Sequence, residues 1–188
     1  MLVTVVWIAV MAFPASEVLL AIFKRAGADD TALADRGSLR LLWIVITLSV
    51  TAAVSLRFVH AGHFRAATTI TDSVALSLVL AGLVLRWVAI LTLGRLFTVN
   101  VAIHTGHALV DRGVYRYVRH PSYSGLLLAF LGLGVFYGSW LSILALVVPI
   151  ALAILNRIRK EEAALLDALG EPYGEYCRRT RRLVPGVF

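Results

Sequence analysis

The chain has 188 residues, 60% of them hydrophobic and 15% charged, with a mean hydropathy of +0.85, whereas soluble domains carry about 45–50% apolar and about 25% charged residues. This composition is that of a membrane protein and excludes disordered, collagen-like and secreted disulfide-rich chains. A single cysteine, Cys177, rules out an intramolecular disulfide framework and cysteine-built metal centres, and the net charge of +7 lies beside apolar runs, where anionic lipid headgroups rather than nucleic acid attract it.

Five apolar runs predict an all-α integral membrane protein: Leu2 to Phe23, Leu41 to Leu56, Ile70 to Leu93, Tyr123 to Tyr137 and Trp140 to Leu155. The first begins without a basic leader or a small-residue cleavage site and reads as a retained helix. Pro14 predicts a kink in it, and Glu17 is an ionisable group that either snorkels or faces a protein interior. In the third run, Arg86 beside Trp87 allows snorkelling, a cation–π contact or a catalytic role. A hydrocarbon core about 30 Å thick takes about 20 helical residues, so the last two runs are short and are expected to form a tight hairpin turning at Gly138-Ser139. Gly125, Gly132 and Gly134 on its incoming arm predict close helix packing.

Fifteen of the eighteen Lys and Arg residues follow the first, third and fifth runs, against Arg57 and Arg65 on the other side and Arg86 within a span. The positive-inside rule then puts the N-terminus outside and the C-terminus in the cytoplasm. No internal repeat is visible, which argues against an inverted-repeat transporter. The chain reads as one domain, 1–188, with 1–94 a transmembrane scaffold and 95–188 the region able to do chemistry.

Asn100 to Tyr123 packs three histidines, three arginines, three tyrosines and an aspartate between two apolar runs. Pro121 biases His120 away from helix, so His120 is expected at a helix entrance, where backbone N–H groups and an imidazole can grip a carboxylate or a ribose. A second cluster comes after the fifth run. Arg157 and Glu161, four apart, share a helical face, and Gly170 with Pro172 is expected to end that helix. Tyr117 and Tyr137 read as interfacial belt residues, and His60, His63 and His104 as surface residues.

Taken together, the order His107-Ala108-Leu109-Val110, Gly113-Val114-Tyr115, Arg119-His120-Pro121-Ser122-Tyr123-Ser124-Gly125, an apolar hairpin, Arg157 followed by Glu161-Glu162, and Gly170-Glu171-Pro172-Tyr173 before Tyr176 resembles the isoprenylcysteine carboxyl methyltransferase family. The resemblance covers about the last 95 residues. It implies an integral-membrane methyltransferase that uses S-adenosylmethionine, held in a cytoplasm-facing pocket formed by the link between spans three and four and by the C-terminal tail. No Gly-rich dinucleotide fingerprint appears, in keeping with a fold unlike the soluble methyltransferases. Carried over residue by residue, cofactor contacts fall on Asn100, His107, Ala108, Leu109, Val110, Tyr115, His120, Pro121, Ser122, Tyr123 and Glu161. Arg157 is expected to face the acceptor, and no metal is implied.

The resemblance implies a lipophilic acceptor, an isoprenylcysteine-like carboxylate or a hydroxyl, drawn from the membrane. Competing readings are a phenolic-lipid O-methyltransferase, a phospholipid N-methyltransferase, an NADPH-dependent membrane reductase using the tail arginines Arg178, Arg179, Arg181 and Arg182, and a non-enzymatic scaffold.

Overall fold

The computed structural model describes residues 2–23, 36–59, 62–64, 68–97 and 109–186. Among them are six α-helices and no strand: α1 (Leu2–Phe23), α2 (Arg36–Val59), α3 (Thr68–Leu93), α4 (Pro121–Phe136), α5 (Trp140–Leu169) and α6 (Glu171–Arg179). Short 3₁₀ turns at Gly94–Leu96 and Gly113–Arg116 flank the link between α3 and α4. Among the described residues, Gly37–Leu56, Thr68–Leu93 and Trp140–Leu169 are long and apolar enough to cross a membrane, and Pro121–Phe136 is a shorter apolar helix. Large apolar side chains such as Leu48, Ile70, Val84, Leu91 and Leu152 point outward, a surface that only lipid or a partner makes favourable.

The helical hairpin forms where expected. α4 stops at Phe136, Gly138 takes a positive φ of 69° that L side chains avoid, and Ser139 caps α5 by accepting from the Ser142 N–H. The expected outgoing arm, Trp140 to Leu155, is only the first half of α5. Arg157, Lys160 and Glu161 are good helix formers and do not interrupt the backbone ladder, so the helix runs on for 30 residues, about 45 Å. It ends at Gly170, as expected, and Pro172 opens α6 instead of merely terminating α5.

α4 lies antiparallel against α3 with its backbone nearly touching. A Cβ on Gly125 would stand 2.6 Å from the Gly82 carbonyl oxygen and 2.7 Å from the Arg86 nitrogen, and one on Gly132 would stand 2.8 Å from the Val79 nitrogen. Gly134 makes the equivalent approach to Ile143 of α5. These contacts bear out the reading of all three glycines as packing positions. They also set the register of the polar residues, because the next rung of the α3–α4 pair brings Arg86 to Ser122. Gly125→Ala is expected to destabilise the fold by about 1–3 kcal/mol through overpacking against backbone atoms that cannot swing aside, read as a lower thermal midpoint in detergent.

α2 and α5 form a second antiparallel pair, pinned by a hydrogen bond from Ser142 Oγ to the Ala53 carbonyl at one end and from Arg157 to Ser38 Oγ at the other. The core between the pairs is Phe13, Leu126, Phe130, Leu133, Leu146, Ile150 and Ile154 with their neighbours. Tyr137 belongs to this core, only 8% exposed, and is not the belt residue that its place at the end of an apolar run suggested: the tight turn folds it back between helices. Tyr117 and His63 are exposed, as expected.

Candidate active site

Glu17 of α1, Ser38 of α2, Arg86 of α3, His120 at the start of α4 and Arg157 in the middle of α5 meet on one side of the bundle. There the helices line a cavity of about 280 Å³, near the lower end of the range usual for small-molecule sites. Leu109, Val110, Tyr115, His120, Ser122, Tyr123, Arg157 and Glu161, eight of the residues expected to make a site, line this one cavity. Pro121 does not. It is fully buried at the first turn of α4, where its ring fixes the helix start behind the wall. Asn100, His107, Ala108, His60 and His104 lie outside the described residues.

His120 stands at the N-cap of α4, buried and stacked on the Tyr123 ring at 5.8 Å, which is the helix-entrance position read from His120-Pro121. Arg157 and Glu161 are not the exposed i, i+4 pair that their spacing alone would give. Tyr123 stands between them: Arg157 Nε donates to its hydroxyl at 2.7 Å, and that hydroxyl donates to Glu161 Oε2 at 3.0 Å. The guanidinium is only 3% exposed, so each of these charge-assisted bonds is strong for its kind. Three further phenols, on Tyr115, Tyr173 and Tyr176, face the same space. Burial raises their pKa well above the usual phenol range, so they remain neutral donors at physiological pH.

The neighbouring carboxylate, Glu162, has a different task that the sequence did not reveal. It accepts from Arg119 Nε at 2.8 Å, from Arg182 Nε at 2.9 Å, and lies 3.4 Å from His120 Nε2. Arg119 also donates to the carbonyls of Cys177 and Thr180. A parallel bridge joins Val118 to Arg181, and Ser124 Oγ bonds the Leu183 carbonyl at 2.6 Å. Tyr176 reaches the Tyr115 carbonyl at 2.7 Å. The tail thus straps the segment before α4 to α5, and α6 adds Tyr173 and Tyr176 to the cavity wall.

Of the tail arginines, Arg178 pairs with Glu171, Arg179 with Asp111 and Arg182 with Glu162. These three are engaged with different carboxylates and are not gathered around one phosphate-sized space. Among the described residues no group of His, Cys, Asp and Glu could hold a metal ion.

The cavity has a second, apolar part. Phe13 and Leu20 of α1, Leu42, Trp43, Ile46 and Val50 of α2, and Leu126, Phe130, Leu133 and Tyr137 along α4 line it. From Ser122 to Tyr137 this wall runs about 22 Å along the helix axis. Where polar and apolar parts meet, Arg86 is buried and held by Glu17, with Ser122 Oγ accepting from it at 2.8 Å. The sequence flagged both residues and left their roles open; the outcome is neither snorkelling nor a contact with Trp87 but a mutual ion pair inside the protein.

A helical membrane protein with a cavity that is polar at one end of the bundle and apolar between the helices is the class that this architecture defines. Within it, residues 75–167, just under half of the chain, match the isoprenylcysteine carboxyl methyltransferase family. Protein-S-isoprenylcysteine O-methyltransferase B of Arabidopsis thaliana is 38% identical over 114 residues, 60% of this chain and 58% of the relative. A probable protein-S-isoprenylcysteine O-methyltransferase of Oryza sativa subsp. japonica is 37% identical over 116 residues, 61% of each. The solved structure of the eukaryotic intramembrane Ras methyltransferase ICMT matches with a TM-score of 0.62 and 26% identity, over 79% of this chain and 53% of that one. The chain therefore spans about 60% of the length of these curated relatives. With the apolar helices, the match makes it a multi-pass integral membrane protein.

Proposed function

We propose that the chain is an S-adenosylmethionine-dependent methyltransferase that esterifies the carboxylate of a lipophilic acceptor, an isoprenylcysteine-like compound or a lipidated protein terminus. The observation that carries this reading is the continuity of the cavity, in which a hydrogen-bonded polar cluster and a long apolar channel share one space. Such a space suits two ligands of opposite solubility, the polar donor arriving from water and the lipid from between helices. The names of the relatives support the isoprenylcysteine class. The polar face with the tail is taken as cytoplasmic and the N-terminus as outside, on the asymmetry of basic residues.

The residues present fit the donor. Glu161 offers a carboxylate to a cationic ligand, the Tyr115, Tyr173 and Tyr176 rings offer aromatic faces and neutral hydroxyls, and His120 and Ser122 add polar groups at the helix entrance. When bound, S-adenosylmethionine supplies a methyl group on a sulfonium that is already strongly electrophilic. What remains for the chain is alignment and exclusion of water. Arg157 holds one oxygen of the acceptor carboxylate and leaves the other free to attack. That carboxylate is ionised at neutral pH, so no general base is required. Tyr123, bonded to both Arg157 and Glu161, keeps the acceptor-side cation and the donor-side anion in fixed register. The strap through Glu162 and Arg182 covers the polar end.

Titration of the detergent-purified protein with S-adenosylhomocysteine tests the reading. Saturable binding is expected, weakened about tenfold or more by His120→Ala and by Glu161→Ala, each of which removes a buried polar contact. Unchanged affinity in both variants would remove the donor site from this cavity. Binding of NADPH with no binding of S-adenosylhomocysteine would overturn the reading in favour of a reductase.

A further inference from the structure

The cavity wall holds a second carboxylate for which methyl transfer has no use. Glu17 lies one turn beyond Pro14 on α1 and reaches across to α3, where Arg86 donates to it through both Nε and an amino group. Arg86's other amino group donates to Ser122 Oγ at 2.8 Å and to the Ser122 carbonyl at 3.2 Å. The two side chains are only 9% and 12% exposed, and both face the cavity.

The geometry matters because the edge formed by Nε and one amino group is the fork with which arginine grips a carboxylate through two parallel bonds. Glu17 occupies that fork. Arg119, the other arginine besides Arg86 and Arg157 on the cavity wall, is engaged with Glu162 and with the Cys177 and Thr180 carbonyls. An anion entering from the apolar channel meets an Arg86 whose charge is already balanced by Glu17 and whose strongest anion-binding edge is taken.

Resting on the acceptor class proposed above, in which Arg157 holds the acceptor's carboxylate, we propose that Glu17 is a specificity-determining counter-ion: it neutralises Arg86, a second arginine on the same cavity wall, and so sets how strongly the site prefers an anionic over an uncharged headgroup. Glu17 touches no reacting atom. It acts through Arg86, and its three-residue offset from Pro14, which also lines the cavity, puts both on one face of α1.

The test compares two probes that differ by one methyl group and the charge it removes, N-acetyl-S-farnesylcysteine and its methyl ester, by direct binding to the full chain in detergent with saturating S-adenosylhomocysteine. Loss of packing or of fold weakens both probes alike, so the readout is the ratio of acid to ester affinity. Glu17→Gln keeps the shape, removes the charge, and is expected to raise that ratio about tenfold. Glu17→Asp keeps the charge but shortens its reach, and is expected to raise it about threefold. A ratio unchanged or lowered in Glu17→Gln overturns the proposal, and if that variant does not fold, an unchanged or lowered ratio in Glu17→Asp overturns it equally. If the wild-type chain binds neither probe, acid binding that appears in either variant supports the proposal and its continued absence overturns it. The methyltransferase reading fails separately, on absence of S-adenosylhomocysteine binding.

Discussion

Arg157→Ala is expected to lower kcat/KM for methyl transfer by about two to three orders of magnitude while S-adenosylhomocysteine affinity changes by less than about threefold. The side chain is almost wholly buried and donates to Tyr123 and Ser38. A hydrogen bond to a charged group contributes about 1.5–3 kcal/mol, and each 1.4 kcal/mol in the barrier is about tenfold in rate, so losing the grip on the acceptor and the positioning of Tyr123 together gives the stated range. Arg157→Lys keeps the charge and loses the planar fork, so it should fall between the two. Assays of both variants at saturating donor, with thermal midpoints alongside, separate lost chemistry from lost fold. Wild-type activity in Arg157→Ala would remove it from the acceptor site.

Glu162→Ala should cost more stability than any other single change at the polar end, about 3–5 kcal/mol, because it leaves a mostly buried guanidinium without its partner. Its carboxylate is 12% exposed and Arg119 10%, while Arg182, 37% exposed, recovers water and adds little. Loosening of the strap should also weaken S-adenosylhomocysteine binding. Denaturant unfolding in detergent measures the first effect and titration the second. A wild-type midpoint would mean that the tail is held without Glu162, by its backbone bonds to residues 117–120, by Ser124 and by the bonds of Arg119 to the Cys177 and Thr180 carbonyls.

How much of this was legible in the sequence depended on how local the cause was. His120-Pro121 announced a helix start because proline restricts both its own backbone and that of the residue before it, and the Gly138-Ser139 turn was readable for a similar reason. The glycine positions were readable as contacts, but not the partners that made them, since nothing in Gly125 names Gly82. The site was legible as a set of residues through the order of its motifs. Its internal wiring was not. Arg157 and Glu161 looked like an exposed helical pair, and only the packing of α4 against α5 put the Tyr123 hydroxyl between them. Glu17 and Arg86 were each visible as a charge out of place in an apolar run, yet 69 residues separate them, and pairing over that distance is decided by tertiary structure. Tyr137 was misread because its position at the end of an apolar run is that of a belt residue, while the turn after it buries it.

The strap also orders events during synthesis. The wall of the cavity draws on α1, on the segment before α4, on the polar half of α5 and on Tyr173 and Tyr176 of α6, and it is tied shut by the backbone at Arg181, Arg182 and Leu183. As the ribosome delivers the chain, α1 to α4 are complete long before those three residues, whereas α5 ends only twelve residues ahead of Arg181. The first four helices can therefore reach the bilayer before the pocket can close, and a partly embedded chain still lacks the tie at its polar end. The last tie is also a backbone tie, made by carbonyl oxygens that every residue possesses, so the latch depends on where the tail runs more than on which side chains it carries.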